Sequence, residues 1–219
     1  MDGLVGVAAI APANHQLEVV RAGANPLNVI KDEGYAFTPL FLAGAIGGSI
    51  ADAATGEAIK VIDPRQVLSD QAYELWPQVW EKSRSELSES TAFGGLRGNE
   101  QFRRQSLIVG YPDHPNDDQR EFDRQLAKMN PDLDISVPVR ISQALADERV
   151  RYQPPLDLPG TKALIEKLSG RTGNDIVYKI YGTDEVNNDE LPLKAHFTTI
   201  NADTNALIDW LIARGLQSP

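Results

Sequence analysis

Two residues in the last third of the chain have the types and placement to move a proton. Asp147 follows the run Ile135-Ser-Val-Pro-Val-Arg-Ile-Ser142. Its alternation of apolar and polar residues predicts a strand, with Pro138 suited to the strand's beginning rather than its middle. His196 follows Asp175-Ile-Val-Tyr-Lys-Ile-Tyr181, a β-branched and aromatic run that predicts a second strand. In a parallel sheet flanked by helices, loops at the carboxyl ends of strands open into the ligand crevice, so both residues are expected on such loops. An acid that holds an imidazole in one tautomer is two thirds of a nucleophile–His–acid relay. The simpler reading is that Asp147 caps a turn and His196 is a surface histidine.

The elements that must position this pair are legible around it. Gln143 to Val150 reads as a turn carrying the acid. Leu158 to Leu168 reads as a helix with Leu164, Ile165 and Leu168 on one face, and Gly170 and Gly173 lie beyond its end. A polar loop is expected to run up to Lys194-Ala-His196-Phe-Thr. From Asn201 to Arg214, Ala206, Leu207, Trp210 and Leu211 recur at helical spacing, with Gly215 as a stop. At the other end, Gly3 to Ala13 is a short apolar run containing Pro12, the pattern of a strand buried on both faces. His15 follows it, and a half-exposed loop histidine is a better reading there than a site residue.

Residues 22–134 show no strand–helix–strand rhythm and read as mainly helical. Ala36 to Ala51 is apolar and rich in small residues, and Gly44 and Gly48 form a G-x-x-x-G pair suited to close helix approach. Pro39 interrupts the segment, which falls short of the length of a membrane span. It reads either as a lid helix over an apolar acyl site or as a buried cap helix. Pro64 to Glu89 reads as a helix kinked or split at Pro77, with Trp76 and Trp80 as core aromatics rather than a tunnel lining. Thr91 to Asn99 reads as a glycine-rich loop. The cluster His114-Pro-Asn-Asp-Asp118 fits a solvated turn better than a metal site, and Gln119 to Met129 reads as a short amphipathic helix.

Composition narrows the class. The chain has 219 residues and a formal net charge of −10, which argues against a nucleic-acid footprint of clustered Lys and Arg. With 0 cysteines there are no disulfides or thiolate metal sites, and the redox compartment is not indicated. No cofactor motif is present. The apolar run near the N-terminus has no basic region before it, so no secretory signal is visible.

Three stretches carry a family likeness. "PVRISQALADERVRYQPP", "DIVYKIYG" and "KAHFTTINADTNALIDWLIARG" resemble the end of secretory lipases of the α/β-hydrolase fold, the Candida lipase A type and its bacterial relatives. Acid before histidine is also the chain order of that fold. Ala144-Leu-Ala-Asp147-Glu-Arg-Val150 resembles the family's acid motif, with Arg151 where Pro is usual. His196 matches the histidine, and Asp209-Trp210-Leu211 the last helix. Leu4 to Pro12 resembles the strand that follows the nucleophile helix.

The resemblance implies an α/β fold comprising the C-terminal part of an α/β-hydrolase sheet, parallel strands flanked by helices, with a mainly helical cap insertion. It places the partial core at 1–21 and 135–219 and the cap or lid at 22–134. It implies a lipase- or esterase-like carboxylic-ester hydrolase with Asp147 and His196 as catalytic acid and base, no cofactor and no metal. The partner would be an acyl ester or lipid, met at a lipid interface through the cap, in a family that is secreted. One part of the pattern is missing. No Gly-x-Ser-x-Gly elbow occurs in the sequence, and the nearest, Gly47-Gly48-Ser49-Ile50-Ala51, lacks the final Gly. In the family the elbow precedes the strand resembling Leu4–Ile10, so it would lie upstream of Met1. An open sheet edge at Leu4–Ile10 would favour dimerisation or poor solubility. The alternative function is a derivative of the fold that binds an acyl ligand or partner without turnover.

Overall fold

The computed structural model describes residues 6–27, 36–106, 109–131, 137–147, 149–154, 158–171, 175–182 and 194–215. The expectations for Leu4, Ile135 and Gly173, and for most of the polar loop before Lys194, fall outside them. Three strands are described: β1 (Val7–Ile10), β2 (Val139–Ala144) and β3 (Ile176–Tyr181). In the middle of the chain lie α1 (Gln16–Ala24), α2 (Thr38–Thr55), α3 (Pro64–Val67), α4 (Asp70–Leu75), α5 (Arg84–Leu87) and α6 (Asp117–Lys128). Towards the C-terminus lie α7 (Thr161–Ser169) and α8 (Lys194–Ile212). The chain divides into two compact units, one made of Met1–His15 with Asn130–Pro219, the other of Gln16–Met129.

The first unit is built on a parallel sheet in the order β1-β2-β3, with Val7 opposite Val139 and Val139 opposite Ile176. Pro138 stands just before β2, where its missing N–H costs no ladder bond, and its carbonyl accepts from the Val7 N–H at 2.8 Å. Successive strand residues point to opposite faces. Val139 and Ile141 therefore pack on Leu164, Ile165 and Leu168 of α7, while Arg140 and Ser142 point the other way, under α8. Covered on both faces, β2 is buried at every residue. The strand near the N-terminus is not. The expectation of burial on both faces is corrected for β1, in which Ala8 is exposed and its neighbours half-buried. It stands at one end of the strand order, so its packing is one-sided.

The second unit is helical, with Leu42, Leu68, Phe93, Phe102, Tyr111 and Phe122 in its core. Pro39 does not interrupt α2 but opens it, in the first turn, where the missing N–H has no intrahelical partner to lose. A Cβ on Gly48 would lie 2.3 Å from Gln125 Oε1, and one on Gly44 3.3 Å from the Met129 methyl. The G-x-x-x-G pair thus lets α2 and α6 approach closely. Among the described residues, no helix is long and apolar enough to cross a membrane.

The helical stretch expected over 64–89, kinked or split at Pro77, is split around Pro77 and also elsewhere, into α3, α4, a 3₁₀ turn over Trp76–Trp80, and α5. Serines restart the chain twice. Ser69 caps α4 by accepting from the Ala72 N–H, and Ser83 and Glu86 form a capping box on α5. Trp76 is buried but Trp80 is 68% exposed, so only the first is a core aromatic. Asp118 is also not in a solvated turn. It is buried at the start of α6 and accepts from Lys60 Nζ and the Asp63 N–H, each at 2.8 Å. Among the described residues, no group of three or more His, Asp or Glu is placed to hold a metal ion.

One ion-pair cluster in this unit predicts an acid response. Asp52 accepts from Lys128 Nζ at 2.7 Å, from Gln125 Nε2 at 2.8 Å and from Arg124. These partners, Lys128 foremost, hold its carboxyl well below the usual carboxylate range. A depressed folded-state value means that the contribution is present above the unfolded value, about pH 3.9, and is lost as pH falls through the folded one. Thermal melts of wild type and Asp52→Asn from neutral pH downward should show a wild-type advantage that narrows below about pH 4. An advantage constant down to the lowest pH would contradict this assignment.

Candidate active site

Asp147 is held by the turn that it organises. After β2, Leu145 and Ala146 form a turn in which the Leu145 N–H donates to the Tyr181 carbonyl at 2.9 Å. The Asp147 carboxylate then accepts through Oδ1 from the Arg149 and Val150 backbone N–H groups, each at 2.8 Å. This Asx-type turn fixes the acid at the carboxyl end of the central strand. Its other oxygen, Oδ2, faces His196 Nδ1 at 2.9 Å and also accepts from Gln143 Nε2 at 3.0 Å. The turn-capping role and the histidine contact use different oxygens of one carboxylate, so the two sequence readings of Asp147 are not exclusive.

His196 is not on a loop, contrary to the expectation. It lies in the first turn of α8, which begins at Lys194 rather than near Asn201. Phe197, Thr198, Thr199 and Ile200 are weak helix formers, which hides this turn from a propensity reading. Tertiary burial of Ala195, Thr198 and Thr199 overrides propensity, and the Thr199 hydroxyl closes on the Ala195 carbonyl at 2.7 Å.

The rotation of α8 is fixed two turns further on. Asp203, seven residues after His196 and on the same stripe of the helix, is fully buried. It accepts from Arg140 and Ser142 of β2 and, at 2.8 Å, from the Tyr181 hydroxyl of β3. A further seven residues on, Trp210 closes over Gly6, where a Cβ would lie 2.7 Å from its ring. Arg140, Ser142, Tyr181 and Asp203 are site-supporting residues that sequence reasoning missed. The available signal was a strand with Arg and Ser on one face; that pattern reads as a solvated face unless a helix is known to cover it.

Asp147 is therefore fully buried, and the His196 side chain keeps 22% of its surface exposed. Against an ionised carboxylate, which can only accept, the facing imidazole nitrogen must carry a hydrogen, and the tautomer of a neutral ring that fits this contact leaves the lone pair on Nε2. One aromatic side chain borders the ring. Phe197 is 50% exposed with its ring centroid 5.2 Å from that of His196, and Leu145, beside the acid, is 56% exposed. A shallow groove of about 290 Å³ lies elsewhere, beside α7, lined by Tyr152, Pro154, Leu158 and Ala163. His15 is half-buried after β1, with its backbone N–H on Asn130 Oδ1 at 3.2 Å.

Ser49, the nearest approach to an elbow, lies inside α2. It is fully buried, and its hydroxyl donates to the Ile46 carbonyl at 2.8 Å and accepts from the Ile62 N–H at 3.1 Å. A nucleophilic serine needs an exposed Oγ at a strained turn, so this one is structural.

Fold and pair together define a mixed α/β protein with a small parallel sheet flanked by helices and an Asp–His pair at the carboxyl end of its central strand. Comparison with protein-family models, curated proteins and solved structures finds no match to this chain.

Proposed function

We propose that Asp147 and His196 are the acid and base of a carboxylic-ester hydrolase of the Ser-His-Asp type, acting on acyl esters. The observation that carries this reading is the 2.9 Å contact between a fully buried carboxylate and the Nδ1 of a partly exposed imidazole. Residues separated by 49 positions meet at the carboxyl ends of parallel strands, where ligands bind in such sheets. The exposed Phe197 and Leu145 supply apolar surface suited to an acyl chain. The resemblance to secretory lipases of the α/β-hydrolase fold points the same way.

In this reading the nucleophile is a serine, which residues 1–219 do not present on a Gly-x-Ser-x-Gly elbow. Its hydroxyl oxygen adds to the ester carbonyl as Nε2 takes the proton, and Asp147 stabilises the imidazolium. Collapse expels the alcohol, which receives that proton. Water then repeats the sequence and releases the acid. The test is hydrolysis of a short chromogenic ester by the native polypeptide that carries these residues, with and without His196→Ala.

A second reading is a derivative that binds an acyl ligand or partner without turnover. It is favoured by one fact, that residues 1–219 contain no Gly-x-Ser-x-Gly. Tight ester binding with no turnover would select it.

A further inference from the structure

Gln143 is the fifth residue of β2 and is fully buried on the face that Val139 and Ile141 fill with apolar side chains. A buried amide costs more to desolvate than a hydrocarbon of its size, so its hydrogen bonds must return that cost. Its oxygen accepts from the Thr161 hydroxyl at 3.1 Å. Its nitrogen has two hydrogens, and the nearest acceptors are the Val150 carbonyl at 2.7 Å and Asp147 Oδ2 at 3.0 Å, with the Ala144 carbonyl at 3.3 Å.

The orientation of the amide is imposed from a distance. Asn14 Nδ2 donates to Thr161 Oγ1 at 3.0 Å and to the Pro12 carbonyl at 2.7 Å. A donor on the Thr161 oxygen leaves that hydroxyl's single hydrogen for the Gln143 oxygen. The flipped amide would set its oxygen against a carboxylate and two carbonyls, acceptor on acceptor. Only one orientation satisfies every group. It brings a second N–H to the same carboxylate oxygen that receives His196.

We infer that Gln143 is a positioning residue for the Asp147–His196 pair, oriented by Thr161 and Asn14 through a buried hydrogen-bonded chain. The role proposed for it rests on the reading of Asp147 and His196 as acid and base. With Oδ1 tied to two backbone N–H groups and Oδ2 tied to Gln143, the carboxylate cannot turn away from the imidazole. The chain links the loop after β1, the first turn of α7 and the end of β2 to one side chain of α8.

The test needs no substrate. The full chain is labelled with ¹⁵N-histidine, and the His196 ring signals are assigned by their loss in His196→Ala. Wild type is expected to show one tautomer, hydrogen on Nδ1, with a downfield N–H proton protected from exchange. Thr161→Val keeps the shape but removes the hydroxyl hydrogen; the downfield signal should be lost and both tautomers should appear, and Thr161→Ser should restore the wild-type spectrum. A folded Thr161→Val chain with the wild-type His196 spectrum overturns the proposal. Should the valine variant not fold, Asn14→Leu, which frees the Thr161 hydroxyl to turn away, is read in the same way, and an unchanged His196 spectrum is again decisive against it. A wild-type chain lacking the Nδ1–H signal would instead sink the acid–base reading beneath it.

Discussion

Asp147→Asn should invert the tautomer of His196 while leaving the turn nearly intact. The asparagine oxygen must take the Oδ1 position, because two backbone N–H groups, those of Arg149 and Val150, point there at 2.8 Å. Its NH₂ then falls where Oδ2 was, facing His196 Nδ1 and the Gln143 amide nitrogen. Donor now meets donor on both sides. The imidazole relieves its conflict by moving its hydrogen to Nε2, which can no longer accept a proton. In comparable relays such a change costs about 10⁴-fold in kcat. The conflict with Gln143 remains and should cost about 1–3 kcal/mol of stability. The His196 ring ¹⁵N shifts and ester turnover of the native polypeptide check the two halves separately. Wild-type shifts and rate in Asp147→Asn would mean that the contact has no role in chemistry.

Asp203→Ala should be the most destabilising single change in the first unit. It leaves the Arg140 guanidinium buried without its carboxylate, and takes an acceptor from the Ser142 and Tyr181 hydroxyls as well. Arg140 is only 6% exposed, so water cannot replace the lost partner without opening α8. Breaking one side of a buried ion pair costs about 3–5 kcal/mol. Urea unfolding followed through Trp210 signals should show this loss. Replacing the cluster together, with Arg140→Met, Ser142→Ala, Tyr181→Phe and Asp203→Leu, should cost far less, because no buried charge is left alone. A single variant within about 0.5 kcal/mol of wild type would show that Asp203 does not anchor α8.

The parts of the fold that were legible rest on local patterns. Strand β2 follows from alternation behind Pro138, and β3 from β-branched and aromatic residues. Helix α7 follows from Leu164, Ile165 and Leu168 at helical spacing. Asp147 and His196 stood out because an acid and a histidine each followed a strand. What was hidden depends on partners far away in the chain. The first turn of α8 forms against its own propensities because Ala195 and Thr199 find burial. Arg140 and Ser142 look like a wet strand face until Asp203, 63 and 61 residues on, covers them. The breaks between Pro64 and Glu89 were written in Ser69 and Ser83, but the apolar spacing across them reads continuously as helix. Gln143 gave no signal at all, since a lone amide in a strand has no characteristic spacing.

The measurement closest to the central claim is turnover of a short chromogenic acyl ester by the native polypeptide, beside His196→Ala. The account predicts saturable hydrolysis in the wild type and a loss of about 10⁴-fold or more in kcat in the variant, with the fold intact. Hydrolysis at the wild-type rate in His196→Ala, or no hydrolysis by the native polypeptide at all, would contradict it.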